Sequence, residues 1–257
     1  MTSIPDHHRP LVRRRRGRLS LEFTPGEVQS QMDPADPDAL VLAYARAMMC
    51  FVLFKPNPEH IVMVGLGGGS LAKFCYRYLP RTRITVLELR ADVIALRERF
   101  AIPPDNERFR VIQCDAARYM KDLKDSADVL LVDGFDANGL PNELTTDHFY
   151  ADCRRALRPD GVLAANVFNY DPKYRSVLVR LSNAFHDRIC QFTGIAGNNH
   201  ILFAIRPGRA PGAPASTMQR RVAAWGSPTP GLGFGLANRL LAIYTVARLR
   251  KGDLTGI

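Results

Sequence analysis

Apolar positions along this chain fall into two periods, short continuous runs and helical stripes, and their order predicts the architecture. The run Ile61 to Val64 is too short for a helix and β-branched enough to read as a buried strand. Leu71, Phe74, Cys75, Tyr78 and Leu79 then recur at helical spacing, with Lys73 and Arg77 on the other face, until Pro80 stops the helix. A second apolar run, ITVLEL, ends on Glu88. The alternation continues with a helix from about Asp92 to Phe100, a strand RVIQCDA ending on Asp115, and a short helix AARYMKDL. A fourth strand, ADVLLV, leads to Asp133, and a helix from about Asp147 to Leu157 stops at Arg158-Pro159-Asp160-Gly161. VLAANVF is the fifth strand, followed by a helix from Tyr174 to Phe185 and an antiparallel pair, RICQFTG and HILFAIR.

Strand and helix alternating in this way predict an α/β fold with a doubly wound, mostly parallel, Rossmann-like sheet. Upstream, LSLEF and EVQSQM flank Thr24-Pro25-Gly26, a β-hairpin signal with Gln29 in its second strand. A helix is expected from about Asp38 to Phe54, with Tyr44 on its apolar stripe. Residues 1–18 read as a disordered basic arm, 19–60 as the hairpin and helix, and 61–206 as the ligand-binding domain. Residues 207–257 read as a Pro/Gly-rich linker and an amphipathic basic helix that docks on the domain or on a partner subunit, as in a homodimer. A membrane surface is the second reading for that helix.

The net charge of +10 lies in the ends: residues 1–20 carry +5 and 206–257 carry +7, which leaves −2 for the body. A slightly acidic body argues against a specific nucleic-acid partner. The five cysteines are scattered, with no CxxC pair and no histidine at zinc-ligand spacing, so no metal is expected. They read as reduced thiols of a cytoplasmic protein. No apolar run reaches the ~20 residues of a membrane span, and no apolar stretch follows the basic start as a secretory signal requires.

The candidate chemistry lies where the strands end. Gly65, Gly67, Gly68 and Gly69 fall within five residues, in a turn that lets a ligand approach the backbone. Glu88, about twenty residues on, stands where a carboxylate can accept two hydrogen bonds from a ribose diol. Asp115 and Asp133 end neighbouring strands on the same side, and Asp136 follows three residues later. A tight turn without a ligand and a capping role for the DxxD acids are the bland alternatives.

The VQS of the hairpin, the glycine turn, LEL, CDA, VDGFD and LRPDGVLAANVF together resemble the spermidine synthase (polyamine aminopropyltransferase) family. That family is built on the class I S-adenosylmethionine-dependent methyltransferase fold, and the resemblance covers roughly residues 19–206. It implies that Glu88 binds the ribose, Asp115 with Ala116 the adenine, and Gln29, Gly65 and Gly67 the rest of the nucleoside. It implies Asp133 as the proton acceptor and Asp136 and Tyr44 as ligands of the amine substrate. The implied reaction moves an aminopropyl group from decarboxylated S-adenosylmethionine to a polyamine acceptor such as putrescine.

Two positions depart from the family pattern. Gly68 stands where the family has an aspartate that holds the donor's amine, and Tyr44-Ala45-Arg46 replaces a Tyr-His-Glu. Arg46 would suit the carboxylate of intact S-adenosylmethionine, so a methyltransferase using that donor is the second reading. A non-catalytic nucleoside-binding relative is the third.

Overall fold

The computed structural model describes residues 9–135, 139–196, 198–208 and 234–252. A small antiparallel sheet comes first: β1 (Leu11–Arg15), β2 (Arg18–Glu22) and β3 (Val28–Met32), in that order. The β2–β3 hairpin is the one expected from Thr24-Pro25-Gly26. The expected disordered arm is corrected over β1. Leu11 pairs with Glu22 and Arg15 with Arg18 around a turn in which Arg16 and Gly17 both take positive φ. Residues 1–8 lie outside the described residues, as does all but the first two residues of the expected linker from Pro207 to Pro230.

The next helix starts later than expected. α1 spans Ala43–Met48 and runs into a 3-10 turn, Met49–Leu53. The chain before it is held open because the Arg46 guanidinium bonds the Leu40 and Val41 carbonyls at 2.6 and 2.8 Å, which takes those acceptors from a helix ladder. Leu42 accordingly stays extended.

The main sheet then follows as β4 (His60–Val64), α2 (Ser70–Tyr78), β5 (Arg83–Glu88), α3 (Ala91–Ile94), β6 (Phe109–Gln113), α4 (Ala116–Asp122) and β7 (Ala127–Val132). It is completed by α5 (Asp147–Ala156), β8 (Leu157–Phe168), α6 (Tyr174–Phe185), β9 (Ile189–Ala196) and β10 (Asn199–Ile205). Seven strands lie in the order β6-β5-β4-β7-β8-β10-β9. The first five are mutually parallel, and β10 enters antiparallel between β8 and β9. β4 and β7 are buried at every residue, as strands covered on both faces must be. Alternation along β4 sends Ile61 and Met63 to one core layer and Val62 and Val64 to the other. The first layer packs under α1, α2 and α3, the second under α4, α5 and α6.

A last helix, α7 (Phe234–Arg250), docks on α1, the 3-10 turn and β9. It buries Asn238, Ala242, Thr245 and Leu249, while Leu236, Leu240, Ile243 and Tyr244 face outward. Among the described residues no helix is long and apolar enough to cross a membrane, and no group of ligating side chains is placed to hold a metal ion.

Candidate active site

The carboxyl ends of β4, β5 and β7, and the turn after β6, open into one cavity of about 380 Å³. The topology requires this crevice: the chain winds outward from β4 to β5 and β6, then crosses from β6 back to β7 on the other side of β4, so the winding reverses at β4. Gln29, Tyr44, Gly65, Gly67, Glu88, Asp115, Ala116 and Asp133 all line it. The other candidate, Asp136, lies outside the described residues.

Each acid is held differently. Both Glu88 oxygens accept backbone N–H groups, Oε2 from Leu66 at 2.8 Å and Oε1 from Arg90 at 2.9 Å. A carboxylate has further lone pairs beyond these two bonds, so a diol can still be received. Burial raises the Glu88 carboxyl above its ordinary range, and the bonds from Leu66 and Arg90 oppose that. Asp115 caps α4: its Oδ1 accepts from Ala117 and Arg118, at 2.8 and 3.3 Å. Asp115 thus combines a helix-capping role with its place in the cavity wall.

Asp133 emerges from β7 beside Gly65. Gly65 has φ of +92°, and a Cβ there would collide with the Asp133 carbonyl oxygen. Only glycine permits this approach, which brings the end of β7 against the ligand turn. The Asn166 amide on β8 donates to Asp133 Oδ1 at 2.9 Å, and Tyr44, whose hydroxyl donates to the Gln29 carbonyl at 3.4 Å, lies beside the same carboxylate. Burial raises the Asp133 carboxyl above the usual range, and the nearby Asn166 and Tyr44 offset that only in part. Burial, then the Asp133 charge, hold the Tyr44 phenol well above its ordinary value, so it remains a donor.

A second cavity of about 150 Å³ shares Gln29, Tyr44, Asp133 and Phe135 with the first, and adds Asn166 and Phe168. Asp133 therefore stands at the junction of a large and a small chamber. The large chamber is lined by four carboxylates, those of Glu88, Asp115, Asp133 and Glu143, against the single cation Arg90 among the described residues. Such a wall selects a cationic ligand.

Residues 41–193 match the spermine/spermidine synthase domain. This chain belongs to that family. The polyamine aminopropyltransferase of Chromobacterium violaceum is 40% identical over 188 residues, which cover 73% of this chain and 72% of that protein. Among solved structures, a probable spermidine synthase from Corynebacterium glutamicum superposes with a TM-score of 0.68 at 20% identity, covering 91% of this chain and 90% of that one. Human methyltransferase-like protein 13, in complex with SAH, superposes with a TM-score of 0.57 at 21% identity, over 84% and 95% of the two chains. The synthase family and the methyltransferases thus share this fold.

Within the spermine/spermidine synthase family, both departures noted in the sequence acquire a structural reason. At Gly68 a Cβ would sit 2.7 Å from Ser30 Oγ and 2.9 Å from Phe100 Cδ1, so a side chain has no room there. Arg46 lines neither cavity, because its guanidinium is spent on the Leu40 and Val41 carbonyls. The residues that sequence reasoning missed are Asn166, Arg90, Phe23 and Glu143. Asn166 did leave a signal, being a lone amide in the apolar run VLAANVF. Phe23 and Arg90 left none, since their contact, with the guanidinium 4.7 Å over the ring, joins the hairpin to the end of β5.

Proposed function

We propose that this protein transfers an aminopropyl group from decarboxylated S-adenosylmethionine to an amine acceptor such as putrescine. The observation that carries the reading is the Asp133 carboxylate, bonded by Asn166 and flanked by Tyr44 where the two chambers meet. The large chamber takes the nucleoside, with the ribose on Glu88 and the adenine beside Asp115 and Ala116, and Gln29, Gly65 and Gly67 complete its wall. The small chamber takes the acceptor amine against Tyr44 and Asp133. Asp136 is assigned the acceptor's second ammonium through the family motif alone.

The chemistry needs a neutral amine, and a primary alkylamine with a pKa near ~10 is mostly protonated at neutral pH. Asp133 orients the amine and takes its proton as the nitrogen–carbon bond forms. The carbon–sulfur bond breaks, its electron pair goes to sulfur, and neutral methylthioadenosine leaves. A raised Asp133 pKa suits this step, because a more basic carboxylate is a better proton acceptor. The four carboxylates of the large chamber favour a sulfonium donor over its neutral product, which helps release.

The methyltransferase reading loses its chief support, since Arg46 is turned away from both chambers. Five free thiols, pushed up by burial, fit a cytoplasmic setting. Asp133→Asn is expected to lower putrescine-dependent release of methylthioadenosine by ~10²–10⁴-fold while methylthioadenosine still binds by calorimetry. Undiminished turnover in that variant, or preference of the wild-type chain for intact S-adenosylmethionine, would sink the proposal.

A further inference from the structure

The last helix, α7, has one face more than the domain uses. Asn238, Ala242, Thr245 and Leu249 recur at helical spacing and are buried against the domain. Leu236, Leu240, Ile243 and Tyr244 recur at the same spacing on the other side and are 48% to 63% exposed. Four of the eight large exposed apolar side chains among the described residues thus lie in one stripe, while Val28, Leu89, Tyr170 and Val179 are scattered over other segments. A contiguous stripe of this kind marks a surface that meets something else, whereas single exposed side chains do not. A helix apolar on both sides is made to be covered on both.

The charge around the stripe says what covers it. Residues 234–252 contain no acid, and Arg239, Arg248, Arg250 and Lys251 are all cations. Arg250 ties the end of α7 to Asp36 at 2.6 Å, four residues beyond the end of β3. At that same end of the small sheet, Met32 pairs with Leu19 and Leu19 with Arg14. The β1–β2 turn, with Arg14, Arg15, Arg16 and Arg18 all exposed, therefore lies only two strands, or about 10 Å, to the side. The apolar stripe and the arginine turn share one end of the molecule. Two copies of α7 packed about a twofold axis would set cation against cation, with no acid on the helix to answer them. A nucleic acid offers phosphates but no place for three aliphatic side chains. An anionic bilayer surface offers phosphates and an acyl boundary together.

We propose that the outward face of α7 and the β1–β2 arginine turn dock this protein on an anionic phospholipid membrane. Leu236, Leu240 and Ile243 sink to the acyl boundary, with α7 lying in the plane of the surface. Tyr244 stands at the boundary with its hydroxyl toward water. The arginines reach the lipid phosphates on their flexible stems. The attachment is peripheral, since no described helix is long and apolar enough to cross a membrane. None of these side chains lines either chamber, so attachment leaves the reacting groups untouched. The proposal does not depend on which group the enzyme transfers.

Co-sedimentation of the full chain with phosphatidylcholine vesicles, with and without phosphatidylglycerol, tests the proposal. Binding is expected to the anionic vesicles and not to the neutral ones, and it is expected to weaken fivefold or more as salt rises from about 0.1 to about 1 M. Leu240→Gln and Ile243→Gln change exposed positions, and each is expected to lower the partition by roughly tenfold or more. Replacing Arg14, Arg15 and Arg16 together by Gln is expected to lower it by about fivefold per charge removed. Thermal melting followed by circular dichroism checks that every variant keeps the wild-type fold. Failure of the wild-type chain to sediment with the anionic vesicles would overturn the proposal. So would binding that the arginine variant loses and both glutamine variants keep, because charge alone would then be holding the chain. Light scattering covers the remaining occupants: a dimer that Leu240→Gln dissociates, without vesicle binding, would assign the face to a second copy. Tighter binding to a polyuridine RNA than to the vesicles, insensitive to Leu240→Gln, would assign the arginines to nucleic acid and also defeat the proposal.

Discussion

Asn166 shows how one side chain sets the properties of its neighbour. Its Nδ2 donates to Asp133 Oδ1, which favours the ionised carboxylate and lowers the Asp133 pKa against the larger effect of burial. Turnover requires Asp133 ionised, so the rate falls as pH drops through that pKa. Asn166→Ala removes the stabilising donor and raises the Asp133 pKa further. The acid limb of the kcat profile is therefore expected to move to higher pH, with kcat at neutral pH reduced by about three- to tenfold. An acid limb that stays in place, or moves down, would show that the amide does not act on the base. Sequence alone made Asp133 legible, as an acid ending an apolar strand, but not Asn166. The run VLAANVF carries the amide, yet only the pairing of β8 with β7 brings it to the carboxylate.

At the scale of elements, the turn after β4 depends on a buried lysine. Lys73, on α2, is 1% exposed and donates its ammonium to the Phe100 carbonyl at 2.6 Å and to Met32 Sδ at 3.0 Å. It ties α2 to β3 and to the short 3-10 turn whose Phe100 ring closes the space over Gly68. From the helical stripe, Lys73 was expected on the face opposite the core; the packing of the hairpin onto α2 covers it instead. Burial lowers its pKa to about 8. Between that value and the ordinary lysine pKa, the unfolded chain binds a proton that the folded one does not. Stability is therefore expected to rise with pH from about 8 to about 10.5, and to be penalised at and below pH 8. Lys73→Met removes this slope and loses the bond to Phe100. Urea denaturation across that range should show a gain of at most about 3 kcal/mol in the wild-type chain relative to the variant. A parallel dependence in both proteins would show that Lys73 is not the titrating group. The helix before the site teaches the same lesson. Its late start at Ala43 follows from Arg46 capturing the Leu40 and Val41 carbonyls, an interaction that propensity does not report.

For the whole molecule, charge is arranged on two levels. The basic surplus of the chain sits at its ends, while the large chamber carries four carboxylates against Arg90. Affinity for decarboxylated S-adenosylmethionine, a cation, should weaken about threefold or more between 0.1 and 1 M salt, as the screening length shrinks from ~10 to ~3 Å. Neutral methylthioadenosine should show little change, and equal salt dependence for the two would exclude an electrostatic origin. The chain itself determined the alternation of strand and helix, the parallel sheet, and the acids Glu88, Asp115 and Asp133 at strand ends, because burial on two faces and a ligand crevice both leave periodic, local traces. Tertiary structure alone decided how those groups work. It set Tyr44 and Asn166 on Asp133, turned Arg46 away, filled the space at Gly68 with Ser30 and Phe100, and ordered the arginine-rich β1 into a sheet. Each of these is a contact between segments distant in the chain, and such contacts carry no period for a sequence to display.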